Sequence, residues 1–304
     1  MRMARPGLLA ISMLIPATCP AGSISFLPDG KSVARCEKGI LLVKDLADEF
    51  PASEIKLPPA MGVDTPTLAR TAGRLLVGGS DLLMTWNPAS TEWKELWRVP
   101  EEFESDIDDL ACDPKTGDIV LVLRHRKSGE LSWKLLPKGE TVALKIFNRN
   151  APGAKDPAFD TKGNLYFTSA GDVWTGDLEK SEDAAVPYIL FGSRIWPLAT
   201  KQTSDSNAYG LAAKGVLPFG NKLLVDLSRA GGSGWGNIVR VPNADAYKEG
   251  LPLKWEELQA NNGYSPLAIS PDGKTAATWN SRDQRWWVME KPDGQFEPLS
   301  KEEK

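Results

Sequence analysis

The chain has 304 residues, 41% of them hydrophobic and 25% charged, a composition that supports a large buried core and excludes an intrinsically disordered protein. Its formal net charge of -4 supplies no general attraction to DNA, RNA or an anionic bilayer. A single histidine, His125, excludes metal centres that need several imidazoles.

The first element differs from the rest. "MRMARPG" carries Arg2 and Arg5, "LLAISMLIPA" is a short apolar run, and "TCPAGS" is rich in small residues. That order predicts a secretory signal peptide over residues 1–22, with the mature chain working in the periplasm or outside the cell. The apolar run is too short for a transmembrane helix, so no membrane span is expected in the mature chain. Two alternatives stay open: lipid attachment at Cys19, which Pro16 and Thr18 suit poorly, and retention of the segment as an extra strand or helix. Beyond it only Cys36 and Cys112 remain, in separate strand-like segments, which reads as two buried thiols and no disulfide scaffold.

From Ser23 the chain repeats itself. "ISFLPDGKSVARC", "GILLVKDL" and "SEIKLP" are followed by "PTLARTAGRLLVGG", "DLLMTWNP" and "EWKELWRVP" in the same order. Four more copies follow, around Gly117, Gly163, Gly220 and Gly273. Each reads as four strands joined by short turns. With Gly30 and Gly73, the turn glycines lie 43, 44, 46, 57 and 53 residues apart, the period of a propeller blade. A large ring recurs in the third strand, at Trp86, Trp133, Trp174 and the pair Trp286 and Trp287, where it would fill the space between neighbouring sheets. The expected fold is all-β, a single six-bladed propeller of four-stranded antiparallel blades over residues 23–300, with a charged tail at 301–304. Every copy contains its own four strands, so the ring closes either by packing the first blade on the last or by residues near the N-terminus.

The turn "SPDGK" at Ser270 to Lys274, with a partial copy at Leu27 to Lys31 and degenerate ones at Asp113 to Gly117 and Asp160 to Gly163, resembles the PD40-type repeat of TolB-like and related six-bladed propellers. The resemblance covers nearly everything from Ser23 to Ser300 and implies a fold more than a function, because the motif is a turn-and-packing device. The fifth copy departs from it with the insertion "SRAGGSGWGN", Ser228 to Asn237.

In a propeller the first strand of each blade lines the central channel, and the loops leading into these strands gather at one mouth. Asp64, Asp106, Asp108, Asp156, Asn207 and Asn261 stand at those positions. Oxygen ligands of this kind suit Ca²⁺, and Asp64, Asp156, Asn207 and Asn261 are the candidate ligand set. The arrangement resembles six-bladed lactone hydrolases of the gluconolactonase type, which implies a metal-assisted hydrolase as one alternative. The plain alternative is a set of polar residues capping turns around a wet channel. His125, in "LRHRKSG", reads as a solvated hairpin tip, and no G-x-S-x-G elbow or phosphate loop occurs. The acidic stretch Glu101 to Asp109 overhangs the same mouth, and Trp235 sits on the glycine-rich insertion. Asp106, Asp108, Asp109 and Trp235 are therefore the candidate partner-binding residues of an exported, non-catalytic binding or accessory module, the leading expectation. A structural subunit of a larger envelope assembly is the third reading.

Overall fold

The computed structural model describes residues 24–48, 50–63, 66–137, 142–147, 151–183, 186–196, 211–229, 236–242, 255–258, 267–280 and 284–299. The signal-peptide segment, the charged tail, Asp64, Asn207, Trp235 and Asn261 lie outside the described residues.

Short strands, each turning back on the one before, account for nearly all the regular structure. The first meander is β1 (Ile24–Phe26), β2 (Ser32–Glu37), β3 (Ile40–Asp45) and β4 (Ser53–Lys56). The second is β5 (Thr67–Arg70), β6 (Leu75–Gly79), β7 (Leu82–Asn87) and β8 (Glu92–Arg98). β9 (Ser105–Cys112), β10 (Ile119–His125), β11 (Leu131–Leu136) and β12 (Val142–Ile146) make the third, and β13 (Lys155–Phe159), β14 (Leu165–Ser169), β15 (Asp172–Lys180) and β16 (Tyr188–Trp196) the fourth. The fifth has β17 (Leu211–Phe219), β18 (Lys222–Arg229), β19 (Gly236–Pro242) and β20 (Glu256–Glu257), and the sixth β21 (Leu267–Ile269), β22 (Ala276–Asn280), β23 (Arg285–Met289) and β24 (Glu297–Pro298). Among the described residues the helical content is two single 3₁₀ turns, Pro59–Met61 and Glu101–Phe103.

Side-chain pattern follows position in the meander. The second strands are continuous apolar runs such as "LLVGG" and "IVLVL", buried because sheets cover both faces. The outermost β8, "EWKELWR", is largely exposed and carries the charge that discourages edge-to-edge pairing. An apolar cluster lies between each meander and the next, and the last of these joins Ala268, Ala277 and Trp286 of the sixth to Ile24, Phe26 and Val33 of the first. The strands thus form a propeller-like ring, closed among the described residues by packing. Arg35 stacks 3.9 Å over Trp279 across that junction, and Arg70 of the second meander donates to the carbonyls of Ile269 and Ser270 in the sixth.

The sheet count departs from six separate blades. Four meanders are independent four-stranded sheets, but the third and fourth form one eight-stranded sheet. Their outermost strands run parallel and pair, Leu144 with Tyr188 and Ile146 with Leu190. Behind this seam Phe167 stacks on Trp174 at 6.2 Å and meets Trp133 edge-on at 5.4 Å.

The recurrent aromatic position falls on the third strands β7, β11, β15 and β23, with Trp86, Trp133, Trp174 and Trp286 buried. Trp133 donates its indole N–H to the Ala154 carbonyl at 2.8 Å, while those of Trp86 and Trp174 are buried without an acceptor among the described residues. The turn residues act as their types suggest. Asp29 accepts from the backbone N–H groups of Lys31 and Ser32, both at 2.9 Å, and Gly30 takes φ 70.

Candidate functional site: an acidic axial cavity

A cavity of about 480 Å³ runs along the axis, lined by the first strands β1, β5, β9, β13, β17 and β21. Three of these strands are irregular in the same way. In β9 the residue Asp108 has no opposite number, because Asp109 pairs with Val122 and Ile107 with Leu123. In β13, Asp156 and Pro157 stand between the pairs Lys155 with Thr168 and Ala158 with Tyr166. In β17, Lys214 stands between the pairs Ala213 with Leu227 and Gly215 with Asp226. Such bulges add a residue and re-aim the side chains beside it. Asp156 takes φ 55, a left-handed backbone that is uncommon outside glycine but among the easier ones for Asp.

The bulges bring three carboxyls to the cavity within electrostatic reach of one another. Asp109 Oδ1 accepts from the Thr67 hydroxyl at 3.0 Å and from the Leu110 N–H at 2.8 Å. Burial, with the Asp156 charge adding repulsion, pushes its carboxyl up to about 7 despite those bonds. Asp156 accepts from Thr168 at 2.5 Å, with Lys155 Nζ 3.7 Å away. Burial raises it too, against the pull of Lys155 and Thr168. Asp226 comes from the second strand of its meander, yet it reaches the cavity because its partner on β17 is Gly215, which has no side chain to stand in front of it. Burial pushes it up to about 7, opposed by the charge of Lys214.

The other end of the cavity is formed by turns. Pro28, Pro114, Thr161 and Pro271 line it, and Arg70 reaches across to the Ile269 and Ser270 carbonyls. Burial lowers the proton affinity of that guanidinium to about 10.

The structure separates residues that sequence reasoning grouped. Asp106 and Asp108 stay at the rim, where Arg126 reaches Asp106 at 2.9 and 3.0 Å and Arg124 clamps Asp108 with two bonds of 2.6 and 2.9 Å. Lys127 pairs with Glu104 at 2.8 Å. The basic tip of β10 and its turn thus answers the acidic stretch before and within β9. Asp109, expected at that rim, faces the cavity instead, together with the candidate metal ligand Asp156. His125 lies half-buried at the β10–β11 turn, where its Nδ1 accepts from the Ser128 N–H at 3.1 Å.

Asp226, Thr67 and Lys214 escaped the sequence reading, which looked only at loops leading into first strands. The signal for Asp226 was an acid inside the apolar run "LLVDL", opposite a glycine. Among the described residues, no three acidic, His or Cys side chains stand close enough together to hold one metal ion. Of the four candidate Ca²⁺ ligands, Asp156 is the one that stands among the described residues.

No protein-family model matches the chain, and no curated protein matches it in sequence. Solved structures do. The calcium-binding protein regucalcin from Agrobacterium tumefaciens strain C58 is similar at 15% identity and a TM-score of 0.57, over 85% of this chain and 81% of its own. A protein provisionally assigned as a gluconolactonase aligns at 12% identity and a TM-score of 0.59, over 92% of this chain and 90% of its own. A luciferin-regenerating enzyme aligns at 9% identity with the same TM-score, over 86% and 83%. At these identities the likeness establishes a shared β-propeller fold, and the chemistry at its axis has to be argued from this chain's own residues.

Proposed function

We propose that the chain is a non-catalytic binding propeller of six four-stranded blades, two of them joined at their outer edges, and that it binds its ligand in the axial cavity. The observation that carries this reading is the run of bulges in β9, β13 and β17, which sets Asp109, Asp156 and Asp226 around one cavity in three successive meanders. Buried carboxyls and left-handed backbone weaken a fold, and a fold that retains them together has a use for them. A concave, mostly pre-formed site with a few convergent polar groups is the usual form of a small-molecule site.

Capture of a partner by the acidic rim has less support, because Arg126 and Arg124 already neutralise Asp106 and Asp108. Trp235 remains the proposed anchor for any protein partner. Export to the periplasm or beyond rests on Arg2, Arg5 and the apolar run that follows them.

One observation favours lactone hydrolysis as a second reading. Asp109 holds its proton to about pH 7, where a general acid or base works best. The regucalcin and gluconolactonase likenesses fit this reading as well as they fit binding.

A thermal-shift screen of small molecules on the full chain, followed by a crystal structure with a hit, tests the proposal. The expected result is a ligand against Asp109, Asp156 and Asp226 and no turnover. Lactone hydrolysis by the purified protein, lost in Asp109→Asn, would replace binding with catalysis.

A further inference from the structure

The parallel pairing of β12 with β16 leaves two phenylalanines in solvent. Phe147, one residue past the end of β12, is 57% exposed, Phe191 on β16 is 46% exposed, and their rings stand 6.5 Å apart. The Phe147 N–H donates to the Leu190 carbonyl at 3.1 Å, so the ladder runs on as far as the ring pair and fixes it. Leu144 and Leu190, on the opposite face of the same strands, are buried with Trp133, Phe167 and Trp174. Single exposed hydrophobic side chains are ordinary, whereas two adjacent rings on a backbone ladder form a patch of the kind that marks an interaction surface.

Register gives this patch a particular order of charge. Ile189 of β16 pairs with Lys145 of β12 on one side and with Glu179 of β15 on the other, so the three side chains form a row across one face. Two residues further along β16, Phe191 pairs with Asp177. Lys145 extends over the Phe147 ring, 5.4 Å from its centre. Lys145, Asp177 and Glu179 are exposed, and among the described residues none of their charged groups has an ion-pair partner. The middle strand thus carries apolar side chains, with a cation one strand to one side and anions one strand to the other.

That order is self-complementary. A twofold axis between two such faces, running along β16, sets each row against the same row of the mate with its ends exchanged. Phe191 then meets the partner's Phe191, and Lys145 meets the partner's Glu179, twice over. An axis across the strands would lay cation on cation and acid on acid, so charge selects the first arrangement. A partner of one charge sign would match one flank and be repelled by the other, whereas a second copy matches both.

We infer that the chain pairs with a second copy of itself through the outer face of the β12–β16 seam, in a twofold dimer centred on Phe147 and Phe191 and closed by two ion pairs between Lys145 and the partner's Glu179. The inference is independent of the axial site. It leaves Trp235, on the fifth meander's insertion, for partners of other kinds.

Sedimentation equilibrium of the full chain tests the pairing. The parent should show monomer and dimer in exchange below about 100 μM. Phe191→Ser should weaken the dimer at least roughly tenfold, since the change enters the interface twice. Lys145→Glu alone and Glu179→Lys alone should each weaken it by about tenfold, because each sets like charges opposite one another. An equimolar mixture of those two variants should restore the association, since opposite charges then face each other across the axis. All of these side chains are exposed, so the circular dichroism of each variant should match the parent; if Phe191→Ser does not fold, the charge pair alone decides. A parent that stays monomeric at about 100 μM would overturn the inference, as would a dimer that Phe191→Ser leaves unchanged, or a mixture of the charge variants no more associated than either alone. A monomeric parent that floats with zwitterionic lipid vesicles would overturn it in favour of a bilayer surface.

Discussion

Two junctions of the ring invite comparison. Between the third and fourth meanders, the apolar faces pack through Trp133, Phe167 and Trp174, and the outermost strands β12 and β16 then pair in parallel to make one sheet. Between the sixth and the first, the faces pack through Phe26, Val33, Ala277 and Trp286, and among the described residues no strand of one side hydrogen-bonds to a strand of the other. The first junction has both side-chain burial and a backbone ladder. The second has burial and the Arg35 stack. A ring made this way should open first where only side chains hold it, because packing is lost all at once when faces separate, whereas a ladder keeps the strands in register.

The sharpest way to break the comparison is a truncation on each side. Phe26→Ala and Trp174→Ala each remove a buried ring and should lower stability by about 3–5 kcal/mol in urea denaturation. Their exchange patterns should differ. Phe26→Ala is expected to raise amide hydrogen exchange in β1 and β21 well below the denaturation midpoint, while Trp174→Ala leaves β12 and β16 protected until global unfolding. Early exchange at β12 and β16 in both variants would remove the distinction.

Charge also loads the axis of the ring, at Asp109 in the third meander and Asp226 in the fifth. Asp109 and Asp226 keep their protons to about pH 7 in the fold, whereas in the unfolded chain they lose them near the usual carboxylate value of about 4. The folded chain therefore holds protons that the unfolded chain has released, and the contribution of these two groups to stability is full below about pH 4, declines as pH rises towards 7 and levels off above it. A melting series over that range should show the decline in the parent and less of it in Asp226→Asn.

Smaller changes sharpen the picture within each junction. Trp133→Phe gives up the bond to Ala154, and Trp174→Phe removes an N–H that had no acceptor among the described residues. The first should be the more destabilising by about 1 kcal/mol in matched denaturation curves. At the other junction, Arg35→Gln should cost about 1 kcal/mol through loss of the stack on Trp279, with the change confined to exchange at β2 and β22.

What the sequence made legible was whatever depends on near neighbours along the chain. Gly30, Gly117, Gly163, Gly220 and Gly273 all take positive φ in turns between first and second strands, and Trp86, Trp133, Trp174 and Trp286 all fall in third strands. Those features need only a turn and a period of two. The pairing of β12 with β16 joins residues some 44 positions apart, Leu144 and Tyr188 among them, and nothing in "VALKI" or "YILFGSRIW" marks a strand that will find a parallel neighbour instead of remaining an edge. The acidic stretch from Glu101 to Asp109 was visible as charge, but its neutralisation depended on where β10 placed Arg124 and Arg126. The cavity acids were half legible. Asp109 and Asp156 stood near the expected positions, and a bulge decided which way each turned.

Gly215 gives the axial site an unusual kind of freedom. Its missing side chain lets Asp226, one strand further out, supply charge to a surface that β17 encloses. A Cβ at 215 would come no nearer than 3.9 Å to the Asp226 Cβ, an ordinary approach, so alanine is sterically admissible there. The shape of the lumen and its charge are accordingly written at different codons: position 215 sets how far the acid is screened, and position 226 sets what is screened. A lineage bearing this fold could change what it holds by altering either one, without disturbing the backbone that gives the lumen its width.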